Sequence, residues 1–227
     1  IQQVLENIMV RIRGLVLVTT ISTNISRIKQ TIKAAANVGR KVAFVGRSLE
    51  ESSRIARQLG YLAGLKDIII SPKKIRRNNP ADLVLIVAGC YGQKNSALTK
   101  IAQNKHQLVK LKAQDAVIFS ADPSPPGVIV NVNNMIDKLA EMKVKVYYYE
   151  IQNNLHVSGH GTAEDIKMLI AIVKPNFLMP IGGNYRHMYA YSLLAQKMKY
   201  PENRIFLLKE KQKLEVINNK QVVIRGQ

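Results

Sequence analysis

The sequence has no tryptophan, a single cysteine (Cys90), and 15 acidic residues against 34 lysines and arginines. One cysteine excludes an intrachain disulfide and any Cys-rich metal site, and it fits a reducing, cytoplasmic setting. Aromatic residues make up only 6% of the chain, so base stacking is not its evident binding mode. Apolar runs are short. Leu83 to Ala88, one of the longest, is strand-length, and none approaches the roughly 20 residues of a bilayer span. There is no P-loop, no nucleophile elbow and no Cys-x-x-Cys pair. The N-terminus does not resemble a signal peptide. It opens at Ile1, inside an amphipathic run (Val4, Ile8, Met9, Ile12) that reads as a helix, as expected of a piece of a longer protein.

What the chain does have is positive charge. The formal balance is +19 over 227 residues. A domain this basic is expected to meet a polyanion, in the first place nucleic acid. The charges are spread along the chain, as in Lys73, Lys74, Arg76 and Arg77, so they are expected to coat folded surface and not to form a tail.

Hydrophobic patterning alternates strand and helix. Strands are expected at Leu15–Thr20, Lys41–Val45, Asp67–Ile70, Leu83–Ala88, Ala116–Ser120 and Val144–Tyr149, and helices at 24–37, 48–59, 96–103 and 128–142. Ser48 with Glu51 reads as a capping box, and 71–79 as a basic loop. Further on, Phe177–Ile181 is expected as a strand, 185–198 as a helix, and Ile205–Leu208, Leu214–Ile217 and Val222–Ile224 as short β segments. Continuous apolar strands between amphipathic helices predict a parallel sheet covered on both faces.

Ligands of such a sheet bind beyond the carboxyl ends of its strands. Those ends carry Ser22-Thr23-Asn24, Gly46-Arg47-Ser48, Gly89-Cys90-Tyr91-Gly92-Gln93, Ser120-Ala121-Asp122, and His156-Val157-Ser158-Gly159-His160-Gly161-Thr162. Taken singly, each has a plain structural reading: Ser48 caps a helix, the glycines turn the chain, Cys90 packs. Taken together they predict a phosphate-binding rim, with Arg47 for charge and bidentate geometry and glycines for close backbone approach. The last of these runs adds two imidazoles four residues apart, before a helix expected at 164–173, where free N–H groups and the helix dipole favour an anion. His156 and His160 straddle a glycine turn, and two histidines are too few to close a metal site. His106 falls in a basic loop and reads as solvated, and His187, at a helix start, reads either as a surface residue or as a support behind a site's direct ligands.

These residues also resemble a known family. His156-Val157-Ser158-Gly159-His160, followed by Lys174-Pro175-Asn176-Phe177-Leu178-Met179-Pro180-Ile181-Gly182-Gly183-Asn184-Tyr185-Arg186, is similar to the ribonuclease J family, metallo-β-lactamase enzymes with an inserted β-CASP domain. Val18 to Arg27, Gly39 to Ser48, Gly89 to Leu98 and Phe119 to Pro123 resemble successive strands and loops of the β-CASP domain, in the family's order.

The resemblance implies an α/β fold: a parallel-sheet, Rossmann-like β-CASP domain over 1–160, then the returning C-terminal αβ part of a metallo-β-lactamase domain over 161–227. It implies 5′-to-3′ exonucleolytic RNA hydrolysis, endonucleolytic in some members, with two zinc ions bound mainly outside this chain. His156, Ser158 and His160 would contact the scissile phosphate and assist proton transfer. Arg47, Ser48 and Gly89 would hold the 5′-monophosphate end of a single-stranded RNA. Partnership with a ribonuclease J-like subunit, as homo- or hetero-oligomer, would follow. The sequence departs from the family pattern at a metal-ligating histidine (Gly182), an acidic residue (Asn184), a serine (Cys90) and a glutamate (Gln93). Three readings stay open: a ribonuclease with weakened catalysis, a non-catalytic RNA-binding scaffold paired with an active subunit, and a β-CASP nuclease acting on DNA.

Overall fold

A computed structural model of the chain describes residues 1–121, 127–152, 154–155, 161–217 and 221–226. These residues form two compact units, Ile1–Val157 and Ser158–Gln227.

The first unit is built on a five-stranded sheet. In chain order its elements are α1 (Gln2–Arg11), β1 (Val16–Thr19), α2 (Ile25–Asn37), β2 (Lys41–Val45), α3 (Arg47–Gln58), β3 (Leu83–Val87), α4 (Ala97–Ala102), β4 (Ala116–Phe119), α5 (Ile129–Glu141) and β5 (Lys145–Tyr147). All pairings are parallel and the strand order is β2-β3-β1-β4-β5. Side chains alternate across a strand, and the two faces sort accordingly. Val16, Val18, Val84, Ile86 and Ile118 pack with Leu5, Met9, Ile28, Ile32 and Leu49 from α1, α2 and α3. Leu17, Leu85, Val117 and Phe119 pack with Leu98, Ile101, Val132 and Leu139 from α4 and α5. Both faces are therefore covered, which is why these strands read as unbroken apolar runs. Each fully buried Leu, Ile or Val contributes about 1.5–3 kcal/mol.

Polar anchors fix the amino-terminal edge of the sheet. Arg40 is buried, and its guanidinium donates to the carbonyls of Gly14 (2.8 Å), Met9 (3.1 Å), Leu83 (3.4 Å) and Ile12. It thereby holds the end of α1 against β3. Asp115 accepts from Leu15 N (2.8 Å) and Lys112 N (2.7 Å).

The second unit carries α6 (Ala163–Val173), α7 (Tyr185–Lys197) and an antiparallel hairpin, β6 (Lys213–Ile217) with β7 (Gln221–Arg225). Its core is small: Ile170, Leu178 and Ala195 are buried, and Phe177 meets Phe206 edge-on at 5.9 Å. Thr162 and Asp165 close a reciprocal capping box at the start of α6. No helix among the described residues is long and apolar enough to cross a membrane.

Four expectations are corrected. Residues 67–70 do not form a strand of their own: Lys66–Ile68 is a 3₁₀ turn, and only Ile69 bridges to Val42. The basic stretch after Ser71 is not an open loop, because Pro72–Arg77 winds into a 3₁₀ helix that buries Ile75. Ser48 caps nothing. α3 starts at Arg47, with Gly46 at its N-cap, and Glu51 bonds Arg54 instead. Phe177–Ile181 and Ile205–Leu208 form no strands, and their β pairing among the described residues is one bridge, Leu178 to Ile205.

Gly46 shows why α3 begins where it does. Its φ is +123°, and a Cβ there would lie 2.7 Å from Ala88 Cβ at the end of the neighbouring strand. Gly46→Ala is expected to cost about 2 kcal/mol or more, combining left-handed strain with overpacking. Gly39→Ala has a similar φ penalty (+73°) but open space around it, and should cost only about 1 kcal/mol. Urea midpoints of the two variants check this order, which equal costs would contradict.

Candidate nucleic-acid interface

The carboxyl ends of β2 and β3 bring two of the predicted rim loops together. Gly46 lies against Ala88, and Ala88 N donates to Val45 O at 3.0 Å. Arg47 and Ser48 are the first two residues of α3 and both are exposed. Helix-start N–H groups have no intrahelical partner, so charge, free donors and the helix dipole all favour an anion there. Arg47 has no hydrogen-bond or carboxylate partner among the described residues.

Gly89 follows β3 with φ +119°, and a Cβ there would sit 2.2 Å from Ser96 Oγ. Only glycine lets this loop fold back onto the start of α4, where Ser96 Oγ accepts from Thr99 N at 3.2 Å. The loop is held from within: Tyr91 N donates to Gln93 Oε1 (3.3 Å), and Thr99 Oγ1 to Gln93 O (2.9 Å). Cys90 is buried, and burial pushes its thiol pKa up to about 12. It is a protonated packing residue and not a nucleophile.

A second convergence lies between β1 and β4. The chain leaves β1 towards β2 on one side and leaves β4 towards β5 on the other, so these neighbours define the topological switch point, the usual ligand crevice of an open parallel sheet. Arg27, in the first turn of α2, is only 6% exposed there. Its Nη1 donates to Ser120 Oγ (2.6 Å), Leu155 O (2.8 Å) and Ser120 O (3.4 Å). Ser120 Oγ donates in turn to Leu155 O at 2.8 Å. The chain after edge strand β5 thus returns across the sheet to the switch point at Leu155, the residue before His156. Burial pulls the Arg27 pKa down, and no carboxylate pairs with it among the described residues. Thr20, the next residue along β1, has a buried hydroxyl without a partner there. Arg27 is a residue that motif reading missed. Its signal was present, since a cation three residues after the N-cap Asn24 interrupts the apolar face of α2.

His156, Ser158 and His160, with Asp122, lie outside the described residues. The other two histidines are structural. His106 is half-buried and not solvated as expected: its Nδ1 accepts from Leu108 N (3.3 Å) and Val109 N (3.2 Å). Burial, and then Lys100, hold its pKa below the ordinary histidine value. His187 is exposed and its Nδ1 accepts from Asn184 N at 3.0 Å, which closes the start of α7.

The described residues do not fit a zinc site. No three of their His, Cys, Asp or Glu side chains come together. Gly182 (φ +90°) and Gly183 (φ +73°) form a left-handed turn into Asn184, and a Cβ on Gly183 would lie 2.9 Å from His187 Nδ1.

The fold and rim define a class, an open parallel α/β domain with a basic, glycine-lined carboxyl edge suited to phosphate. Comparison with known proteins is specific within that class. Residues 13–139 match the family model described as "Ribonuclease J, beta-CASP domain", and residues 143–207 the one described as "Zn-dependent metallo-hydrolase RNA specificity domain". The chain belongs to the ribonuclease J family. It is similar to "Ribonuclease J 1" of Streptococcus pyogenes (33% identical over 197 residues, 87% of this chain and 35% of that protein). It is similar too to "Ribonuclease J2" of Bacillus subtilis (32% over 195 residues; 86% and 35%) and "Ribonuclease J" of Helicobacter pylori (32% over 204 residues; 90% and 29%). It spans about a third of the length of these relatives.

The buried polar groups make two expectations measurable. Ser120→Ala removes two bonds of the Leu155 clamp and should destabilise the fold by about 1–3 kcal/mol. Because Arg27→Ala breaks the same clamp, the double variant should be less destabilised than the sum of the singles; strict additivity in urea unfolding would argue against a shared network. His106 has a folded pKa below its unfolded value. Its contribution is therefore complete above about pH 6.5 and is lost as pH falls towards and through the lowered value. Unfolding midpoints should fall between pH 7 and pH 5.5 and fall less in His106→Gln, while equal slopes would remove His106 as a source.

Proposed function

We infer that this chain is the RNA-binding part of a ribonuclease J-like RNA processing and decay protein, working in the cytoplasm. Residues 1–160 are its β-CASP domain, and 161–227 the C-terminal part of its metallo-β-lactamase domain. The observation that carries this reading is the junction of the β2 and β3 ends, where exposed and uncommitted Arg47 stands at a helix start beside a loop that Gly89 alone permits. In this reading Arg47 and Ser48 hold the 5′-monophosphate of a single-stranded RNA, and Gly89 keeps its loop close enough for backbone contact.

His156, Ser158 and His160 meet the scissile phosphate, with the imidazoles holding or moving a proton. Zinc, held by residues mainly outside this chain, would supply Lewis-acid chemistry. Catalysis is weakened because Gly182 and Asn184 carry no ligand. A second reading, a non-catalytic RNA-binding scaffold that partners an active ribonuclease J-like subunit, is favoured at the same turn, since Asn184 and His187 are committed to closing the start of α7.

Arg47→Ala should weaken binding of 5′-monophosphorylated RNA by about tenfold or more, the worth of a charge-assisted phosphate contact, with little change for 5′-hydroxyl RNA. Equal losses on both would take Arg47 out of the phosphate pocket. Decay of 5′-monophosphorylated RNA that His160→Ala abolishes would select the enzyme over the scaffold.

A further inference from the structure

A groove of about 670 Å³ runs along the outer side of α3, beyond edge strand β2. Arg47, Arg54 and Arg57 line it, at i, i+7 and i+10, one face of a helix spanning about 15 Å between the first and the last. Its opposite lip is Ser71 and Pro72, from which the 3₁₀ helix continues into exposed Lys73, Lys74, Arg76 and Arg77. From Arg47 to Arg77 there are eight lysines and arginines against three acidic residues. Of the two glutamates in the groove, Glu51 is already bonded to Arg54 at 2.6 Å, which leaves Glu50. Arg57 is braced by its Nε donating to Ser53 O at 3.3 Å. Neither it nor Lys73, Lys74 or Arg77 has a carboxylate partner among the described residues. Arg47 and Arg57 in the groove, with exposed Lys73, Lys74 and Arg77 just beyond its lip, are like charges that repel one another, and a chain of phosphates is the ligand that relieves them. The aromatic ring lining the groove, Phe44, is only 3% exposed, so it offers no platform for stacking bases.

We propose that this groove seats the phosphodiester backbone of RNA without regard to sequence or to the state of the 5′ end, running on from the terminal phosphate held at Arg47. The proposal rests on the reading that the chain handles RNA, and it adds a second RNA-binding surface on the outer edge of the sheet. The cations of the groove and its lip act electrostatically, by releasing counterions from the backbone, and the end-group preference belongs to the site that Arg47, Ser48 and the Gly89 loop form.

The test uses the full chain and short single-stranded RNAs with 5′-monophosphate or 5′-hydroxyl ends, titrated by fluorescence anisotropy over a range of salt. Combining Arg57→Ala, Lys73→Ala and Lys74→Ala should weaken both RNAs by the same factor. It should also flatten the slope of log affinity against log salt by about 2, at roughly 0.7 for each phosphate no longer neutralised. A companion variant with Arg57→Lys, Lys73→Arg and Lys74→Arg keeps the charge and should keep the slope; since all three positions are exposed, a flattened slope in this variant too would mark a folding defect and overturn the proposal. If the unsubstituted chain binds RNA but the alanine variant has an unchanged slope, the groove is not a phosphate seat, while the Arg47 reading stands. If the unsubstituted chain has no affinity for RNA, both fall. If Arg47→Ala lowers both RNAs equally while the groove variant behaves as expected, only the end-group reading falls.

Discussion

β1 is hydrogen-bonded on both edges and buried on both faces, and the rest of the first unit follows from that constraint. A strand so placed has no room for a polar side chain except one that finds a partner, as Thr19 Oγ1 does by donating to Val87 O at 2.9 Å. Polar chemistry is therefore displaced to where the strands stop. β1, β3 and β4 all run the same way, so their polar ends collect along one edge, and the loops that follow share that edge whatever their separation in sequence. Residues 20–24, 46–48, 88–93 and 120–121 are neighbours for this reason.

Two buried arginines hold the two ends of this sheet. Arg40 gathers backbone carbonyls at the amino-terminal edge, and burial lowers its pKa while Asp82 pulls it back up. Arg27 gathers Ser120 and Leu155 at the carboxyl edge, with no carboxylate among the described residues to offset it. Taking a cation out of water is costly unless it is hydrogen-bonded, so each side chain leaves the fold few alternatives to the geometry that satisfies it. In a chain with a surplus of 19 positive charges, these two arginines serve the fold, and most of the others remain on the surface.

Much of this was legible beforehand. β2 and the limits of α2 follow directly from hydrophobic period and from Asn24, because both elements are decided by local pattern. The rim loops could be named because strand ends follow from strands. Other parts could not be read. The Ser48–Glu51 spacing imitates a capping box, but close packing of Gly46 against Ala88 moves the N-cap back from Ser48 to Gly46. Residues 67–70 have strand-like composition, but they reach β2 only at one point, where Ile69 bridges to Val42 and Ile70 N donates to Val42 O at 2.8 Å. The Arg27–Ser120–Leu155 clamp joins residues up to 128 positions apart, and no local pattern announces such a contact.

The turn at Gly182 sets a backbone condition on any side chain placed there. A histidine placed at 182 would meet open space, so nothing steric keeps it out. Its backbone, however, would have to hold a φ of +90°, a region that costs a residue with a β-carbon about 1–2 kcal/mol. His187 and Asn184 have meanwhile taken up the start of α7. A side chain at 182 would thus require the turn to be rebuilt along with it, so the main chain, and not the free space around it, decides what this position can hold.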